Sequence, residues 1–569
     1  MIETIKNELK KLLETELSTR YGTSVNVVVE EPKRKDQGDL SVPVFTIAKT
    51  ARTPVPAILS EVEAVIASSP IAPLFAAVTP TGGFLNLRLD PAGIARAIVA
   101  DFRTRGKDYG RSETHAGETV VIDYSSPNIA KPFSIGHLRS TIIGHALGNL
   151  LEKTGAKVVR INHLGDFGTQ FGKIIYAFQN FGDRVAVERD PINELVKLYV
   201  EYHERAKEHP EMDDAARAIF AALEKGDPEY VALWSWFREV SLQDYMQVYD
   251  LLGVRFDSYN GEAFYNDKMQ PVIDELAAKG LLKEDDGAMI VDLGEEIPPA
   301  LIQKKDGSTL YITRDLAALF YRMHTYHFDR ALYVVGNEQK LHFDQLKRVV
   351  RLMGYPEADR IEHVNFGLVL QDGKKMSTRK GKVVKLVDVL HEAIRLSRSY
   401  IEEKNPTLPD KEAVATRIGV SAIIFNDLKN YRANDFEFNL EEMVKFEGQT
   451  GPYLQYTSVR INSILTQEPF SFDGDVDDAI LSAEPAFEIV KTIGQYAATV
   501  EKAAAEAAPS VVAKYLLNLA ALFNSYYAKE RVNVEDVREK KTKKHLVAMV
   551  RAVLDDGMTL LGMQPIERM

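Results

Sequence analysis

Apolar residues near the start of the chain recur at helical spacing. Ile5, Leu9, Leu12, Leu13 and Leu17 predict an amphipathic helix, and Val25 to Val29 reads as a buried strand. A second apolar run, Phe84 to Leu89, follows Gly82-Gly83 and stops at Asp90-Pro91. These elements predict a small α+β module over residues 1–110, with a basic loop of Lys33, Arg34 and Lys35 ahead of Gly38-Asp39. The pattern changes near residue 118. Thr119 to Asp123 is a β-branched strand ending in the turn Ser125-Ser126-Pro127-Asn128. A helical pattern runs from Ile135 to Lys153, with Gly155 where a C-cap glycine belongs. Lys157 to Asn162 is a second strand, and Gly165-Asp166-Phe167-Gly168 opens another helix. Strand, helix, strand, helix at this spacing predicts an α/β domain with a doubly wound parallel sheet of Rossmann type, over residues 111–385. Residues 190–300 read as a mostly helical insertion, in which Tyr230, Leu233, Trp234, Phe237 and Val240 repeat at core spacing. Strand signals return at Thr309 to Ile312 and Ala331 to Val335. Beyond about residue 410 they largely vanish, which predicts a helical connecting region over 386–445 and an all-α bundle over 446–569.

Composition narrows the class. At roughly 150 residues per domain, 569 residues suggest about three to four domains. Hydrophobic content of 45% with 27% charged residues is ordinary for a soluble globular protein. The absence of cysteine excludes disulfides, thiolate zinc sites, iron–sulfur clusters and cysteine nucleophiles. No apolar run approaches the roughly 20 residues of a membrane span, and the charged amphipathic start is unlike a signal peptide. A soluble cytoplasmic protein is expected. A formal charge of −12 argues against indiscriminate coating of nucleic acid and leaves room for a local basic surface.

Two segments carry candidate chemistry. After the strand ending at Asp123, a proline-containing turn leads to Gly136-His137 at a helix start. Free N–H groups and the helix dipole suit phosphate there, Gly136 permits close approach, and His137 can donate to a phosphoryl oxygen. A lone histidine in such a place also serves as a cap or a packing residue. The second segment, Asp372 to Lys382, holds Lys374, Lys375, Arg379, Lys380 and Lys382 with a single acid. A glycine-flanked basic loop can close over a pyrophosphate, or lie idle on the surface.

Together these residues carry a resemblance. Ser134-Ile135-Gly136-His137 and Lys375-Met376-Ser377-Thr378-Arg379 resemble the HIGH and KMSKS signatures of class I aminoacyl-tRNA synthetases. The run from Ser125 to Phe133 (SSPNIAKPF), that from Asn162 to Gly172 (NHLGDFGTQFG), Tyr311 to Asp315 (YITRD) and Gly448 to Tyr456 (GQTGPYLQY) are similar to the arginyl-tRNA synthetases, over nearly the full length. Ser134 departs from the first signature's leading histidine and Arg379 from the second's final lysine pattern. Serine still hydrogen-bonds a phosphate or ribose oxygen, and Arg379 keeps the charge without the compact ammonium.

The resemblance implies activation of L-arginine by ATP and transfer to the 3′-terminal ribose of tRNA(Arg), whether or not activation waits for bound tRNA. It implies catalytic roles for Lys131, Ser134, His137, Lys375 and Lys380. ATP would lie at Gly136, His163, Asp166, Asn337, Glu338, Met376 and Ser377. Asp123, Asn128, Tyr311, Asp315 and Gln339 match the family's arginine-binding positions. A guanidinium is a planar fork that prefers fixed carboxylates, so Asp123 and Asp315 are the two best candidates for the selecting acids, otherwise a loop carboxylate and a first-turn helix acid. Asn128 and Gln339 would hold either the α-amino and carboxylate end or the guanidinium rim. Mg²⁺ is expected to arrive with the nucleotide, with no dedicated metal site and no zinc. In the bundle, Tyr453, Tyr456, Asn524, Tyr526 and Tyr527 are the tRNA candidates, by stacking or as core residues. The N-terminal module resembles the family's extra domain that touches the tRNA D-loop, near Lys33 to Asp39. A monomer without membrane contact is expected.

Overall fold

The computed structural model describes residues 2–32, 34–305, 309–376, 378–379 and 382–569. Its centre is a four-stranded parallel sheet of β1 (Thr119–Asp123), β2 (Lys157–Ile161), β3 (Arg330–Tyr333) and β4 (Ile361–His363), in the order β4-β3-β1-β2. β1 pairs with both β2 and β3, Val121 lying opposite Val159 and Ala331. Three helices make the crossovers that position the site: α1 (Leu138–Lys153), α2 (Tyr311–Tyr326) and α3 (Lys340–Leu352). All three begin at the carboxyl edge of the sheet, where doubly wound folds place ligands.

The N-terminal helix Ile2–Tyr21 buries Ile5, Leu9, Leu13 and Leu17 against an antiparallel sheet of Leu40–Pro43, Phe84–Leu89 and Phe75–Thr81. Val25, Val27 and Val29 are buried in alternation as expected. They form no ladder, and only Glu30 is bridged, to Ser41. Other expectations are corrected. The insertion is helical through Met269–Ala278, but Leu282–Asp285, Ala288–Val291 and Ala300–Gln303 then form an antiparallel sheet. Its first hairpin turns at Asp286-Gly287, both at positive φ (47° and 81°), the pair that a two-residue turn requires. Thr309 makes one bridge to Gln303, yet Tyr311-Ile312 open α2 instead of continuing a strand.

After Leu386–Lys404 the chain is almost wholly helical, and its last helices, Ser510–Lys529 and Val537–Leu560, pack as a bundle. One flank of α1 is the seat for this C-terminal part. Asn149 donates to the Leu560 carbonyl (3.3 Å) and Lys153 pairs with Asp556 (3.0 Å). Arg139, 1% exposed, pairs through Nε with Asp427 (3.1 and 3.2 Å) on the helix Lys411–Leu428. It also donates to the Asn434 carbonyl (2.9 Å) and lies over the Phe436 and Phe366 rings. A buried guanidinium is tolerated only when paired this fully.

Removing one partner of such a pair is costly. Asp427→Ala should lower stability by about 3–5 kcal/mol in urea unfolding, whereas the double variant Arg139→Met, Asp427→Leu should lose far less.

Candidate active site and the basic-aromatic pocket of the bundle

The turn between β1 and α1 is held in a conformation that side chains normally avoid. Ser125, Ser126 and Ala130 all sit at positive φ (73°, 48° and 58°). Each such residue costs on the order of 1–3 kcal/mol and persists only where its surroundings enforce it. The enforcement comes largely from the insertion helix Pro228–Leu252. The Tyr249 hydroxyl lies 2.8 Å from Ser125 Oγ, and the Tyr245 hydroxyl 2.6 Å from the carbonyl oxygens of Asn128 and Lys131. Asn162 and Ser140 accept from the Ser126 and Ser125 amides (3.1 and 2.9 Å). Neither tyrosine stood out in the sequence, where both blend into the core pattern of a long helix.

Ser134 then caps a 3₁₀ turn, Ile135–His137, that runs into α1. Its backbone N–H donates to His137 Nδ1 at 3.2 Å, and its hydroxyl is equally close. An acceptor Nδ1 places the ring proton on Nε2. Burial, reinforced by the Lys131 charge, holds the His137 pKa below its ordinary value. The imidazole is therefore a neutral Nε2–H donor near pH 7. Lys131 and Gly136 are exposed beside it.

The second motif is tied to the first. Lys374-Lys375 pairs with Val369–Gln371 in a hairpin turning at Asp372-Gly373, and both lysines are exposed. Met376 is buried, its amide donating to the Val369 carbonyl at 2.8 Å. The loop returns through Val384, which accepts from the Ile135 amide (3.0 Å), and Leu386 donates to the Phe133 carbonyl (2.9 Å). Ser134 and Lys385 thus form an antiparallel bridge. Ser377 and Lys380 lie outside the described residues, as does Lys33 of the N-terminal loop.

The two expected acids are not equivalent. Asp123 at the end of β1 is already neutralised by a guanidinium of the protein itself. Arg322 of α2, 1% exposed, reaches its Oδ2 at 2.7 Å, and Ser126 donates to Oδ1 at 3.0 Å. Each oxygen carries one of these bonds, so Asp123 would meet a substrate guanidinium only beside Arg322. Arg322 also lies 3.3 Å from His163 Nδ1 and over the Tyr333 ring. Burial keeps the His163 pKa low, consistent with a neutral acceptor. His163 stacks on Tyr265 and supports Arg322, so it stands beneath the cleft.

Asp315 retains an oxygen for a ligand. Its Oδ2 is 2.6 Å from His342 Nε2 on α3. Burial works to raise its pKa, but the His342 hydrogen bond and charge, with His163 and Arg322 nearby, hold it below the ordinary carboxylate value. Tyr311, the first residue of α2, is 71% exposed. Gln339, Glu338 and Asn337 are exposed at the entry to α3, with Asn337 anchored by Asn365 (2.7 Å) and the Ala433 carbonyl (3.3 Å). Asn128 is exposed in the strained turn, its backbone bridged to Gly165. Asp166 differs from the expectation. It is 1% exposed, with one oxygen on Arg238 (2.8 Å) and the other on the Ala263 amide (2.9 Å). It anchors the insertion through both oxygens, and its burial leaves it little surface to offer a nucleotide.

Among the described residues no cluster of three or more His, Asp or Glu side chains could hold a metal ion.

A second concavity, about 770 Å³, lies in the bundle and is lined by Tyr453, Tyr456, Arg460, Asn524 and the C-terminal Met569 among others. Arg460 organises it, donating to Asn524 (2.8 Å) and Tyr456 (3.1 Å), with its guanidinium over the Tyr456 and Tyr527 rings.

Comparison with known proteins decides the family. Residues 99–440 match the family described as tRNA synthetases class I (R), catalytic domain. Residues 1–89 match the arginyl tRNA synthetase N terminal domain, and 454–569 the DALR anticodon binding domain. The chain belongs to the arginyl-tRNA synthetase family. The arginine–tRNA ligase of Exiguobacterium sibiricum is 49% identical over 549 residues, 96% of each chain. That of Enterococcus faecalis is 47% identical over 568 residues, 100% of this chain and 99% of its own. Among solved structures, Thermus thermophilus arginyl-tRNA synthetase superposes with a TM-score of 0.82 at 26% identity, covering 99% of this chain and 100% of its own.

Within the region matched as the DALR domain, the expected RNA-facing residues separate. Tyr456 and Tyr527 are 38% and 39% exposed, and Tyr453 and Asn524 reach the pocket through Arg460 and each other (2.9 Å). Tyr526 is 1% exposed and takes the core alternative: on the helix Ser510–Lys529 it lies about 100° round from its exposed neighbour Tyr527. Arg460 was missed because nothing in its spacing separates it from an ordinary surface arginine.

The His137 tautomer is directly measurable. With ¹⁵N-labelled histidine, NMR should show protonated Nε2 and unprotonated Nδ1 for this residue, and a titration midpoint below that of an exposed histidine at about 6.5.

Proposed function

We propose that the cleft at the carboxyl edge of the sheet is where this synthetase joins L-arginine to ATP and then to tRNA(Arg). The observation that carries the proposal is the bridge between Ser134 and Lys385, which ties the chain leaving the basic segment to the start of the His137 turn. In the first step a carboxylate oxygen of arginine attacks the α-phosphorus of ATP, forming arginyl-adenylate as pyrophosphate leaves. In the second, a hydroxyl of the terminal ribose attacks the arginyl carbonyl and AMP departs. Neither step needs a covalent nucleophile from the protein; alignment and charge stabilisation suffice.

The side chains divide this work. His137 donates from Nε2 to a phosphoryl oxygen as negative charge builds, without the repulsion a second full cation would meet beside Lys131. Ser134 orients that ring and offers its hydroxyl to the ribose region. Lys131, Lys375 and Lys380 face the pyrophosphate, while Gly136, Met376, Ser377, Asn337 and Glu338 frame the nucleotide. Mg²⁺ would be carried on the ATP phosphates, neutralising part of their charge. Asp315 receives the substrate guanidinium, with Tyr311 and Gln339 at its sides and Asn128 at the other end. Asp123, balanced by Arg322, shapes the floor. Lysine, a point charge, cannot satisfy a fixed acceptor plane as a guanidinium does.

The pocket around Arg460 supports a base-binding role in the anticodon-matching region, by stacking and cation–π contact. The loop of residues 33–39 is proposed to meet the D-loop. Both surfaces are built by one chain, which supports action as a monomer, and the cytoplasm is the compartment where its tRNA partner works. No described helix is long and apolar enough to cross a membrane.

ATP–pyrophosphate exchange with all twenty amino acids, with and without tRNA, tests the whole reading. Exchange with arginine supports it; exchange with another amino acid in its place overturns it. Asp315→Ala should raise the KM for arginine by about tenfold or more while leaving tRNA affinity near normal. Lys375→Ala should slow adenylate formation in single-turnover assays more than transfer from preformed adenylate.

A further inference from the structure

Asp315 stands on the first turns of α2 with its side chain 30% exposed, and the group that holds it comes from a different helix. His342 Nε2 lies 2.6 Å from Asp315 Oδ2. Its own position is fixed by its neighbour on α3. Phe343 is 5% exposed and packs on Tyr333 of β3 (ring centroids 5.0 Å apart) and His363 of β4 (4.7 Å). The His342 ring then stands edge-on to Phe343, at 80° and 5.3 Å. A rigid path therefore runs from the sheet through Phe343 and His342 to one oxygen of Asp315.

We propose that His342 is a positioning residue for arginine: by holding Oδ2 it aims the remaining Asp315 oxygen at the substrate guanidinium. The inference rests on the reading of Asp315 as the arginine acid. It matters in this chain because the other acid already holds Arg322 and Ser126. A swinging carboxylate would have to be ordered by each arriving substrate, and that ordering entropy opposes binding. His342 sits in the first turn of α3, whose dipole favours the acid beside it. The function is thus that of a hydrogen-bond donor, and a neutral donor of similar reach performs it.

The test is steady-state ATP–pyrophosphate exchange at saturating tRNA, comparing the wild-type chain with Asp315→Asn, His342→Leu, His342→Asn and His342→Gln. His342→Leu removes the donor and should raise the KM for arginine about tenfold, leaving kcat and the KM for ATP within about twofold. His342→Asn is too short to reach and should behave alike, serving as the readout if the leucine variant does not fold. His342→Gln restores a donor at comparable length and should recover most of the loss. An unchanged KM for arginine in the leucine and asparagine variants, with Asp315→Asn impaired, overturns the positioning role alone. An unimpaired Asp315→Asn overturns the assignment of the acid beneath it. Equal losses for arginine and ATP, unrelieved by glutamine, reduce His342 to a structural residue and overturn the inference.

Discussion

The cleft is organised around a cation that water cannot reach. Arg322 is sealed beneath the carboxyl ends of β1 and β3, and an ionised guanidinium in that place demands a carboxylate and further acceptors. Asp123 meets the demand, His163 lends a ring nitrogen, and Tyr333 presents its π face. Meeting it locks α2 against the sheet, and α2 delivers Asp315 to the rim. A chain whose substrate is itself a guanidinium thus keeps one permanently inside. The internal cation balances the acid on the floor, which leaves the acid at the rim, held by His342, as the one with an oxygen outside such pairs.

A second constraint joins the two motif segments. Residues distant in the sequence are brought together by short backbone bridges, Ile135 to Val384 and Leu386 to Phe133, which require no particular side chains. The strained turn of residues 124–131 is clamped from the other side by Tyr245 and Tyr249. The helical insertion is therefore a brace for the catalytic turn as well as an addition to the sheet.

Much of this was legible in the residues. The β-branched runs of β1 and β2, the Gly155 stop after α1 and the motif pair fixed the sheet and its carboxyl edge, because period and punctuation are local properties. Less was readable where partners come from far along the chain. Asp123 and Asp315 look alike as isolated acids; only the fold shows that one faces Arg322 and the other His342. Arg322 and Arg139 each interrupt an apolar helix face, a sign of a buried partner that could have been weighed. His342 gave no such sign. The Asp286-Gly287 hairpin was written plainly in the sequence and was passed over because the helical period before it dominated the reading. Tyr526 and Tyr527, adjacent and identical, took opposite fates through the 100° step of a helix, which composition cannot resolve.

α1 has one further consequence. It starts directly after the 3₁₀ turn that ends at His137, and its flank bears the C-terminal part of the chain through Arg139, Asn149 and Lys153. A single stiff rod therefore joins the two, and the distance between the His137 turn and the C-terminal part is set by the length of that helix.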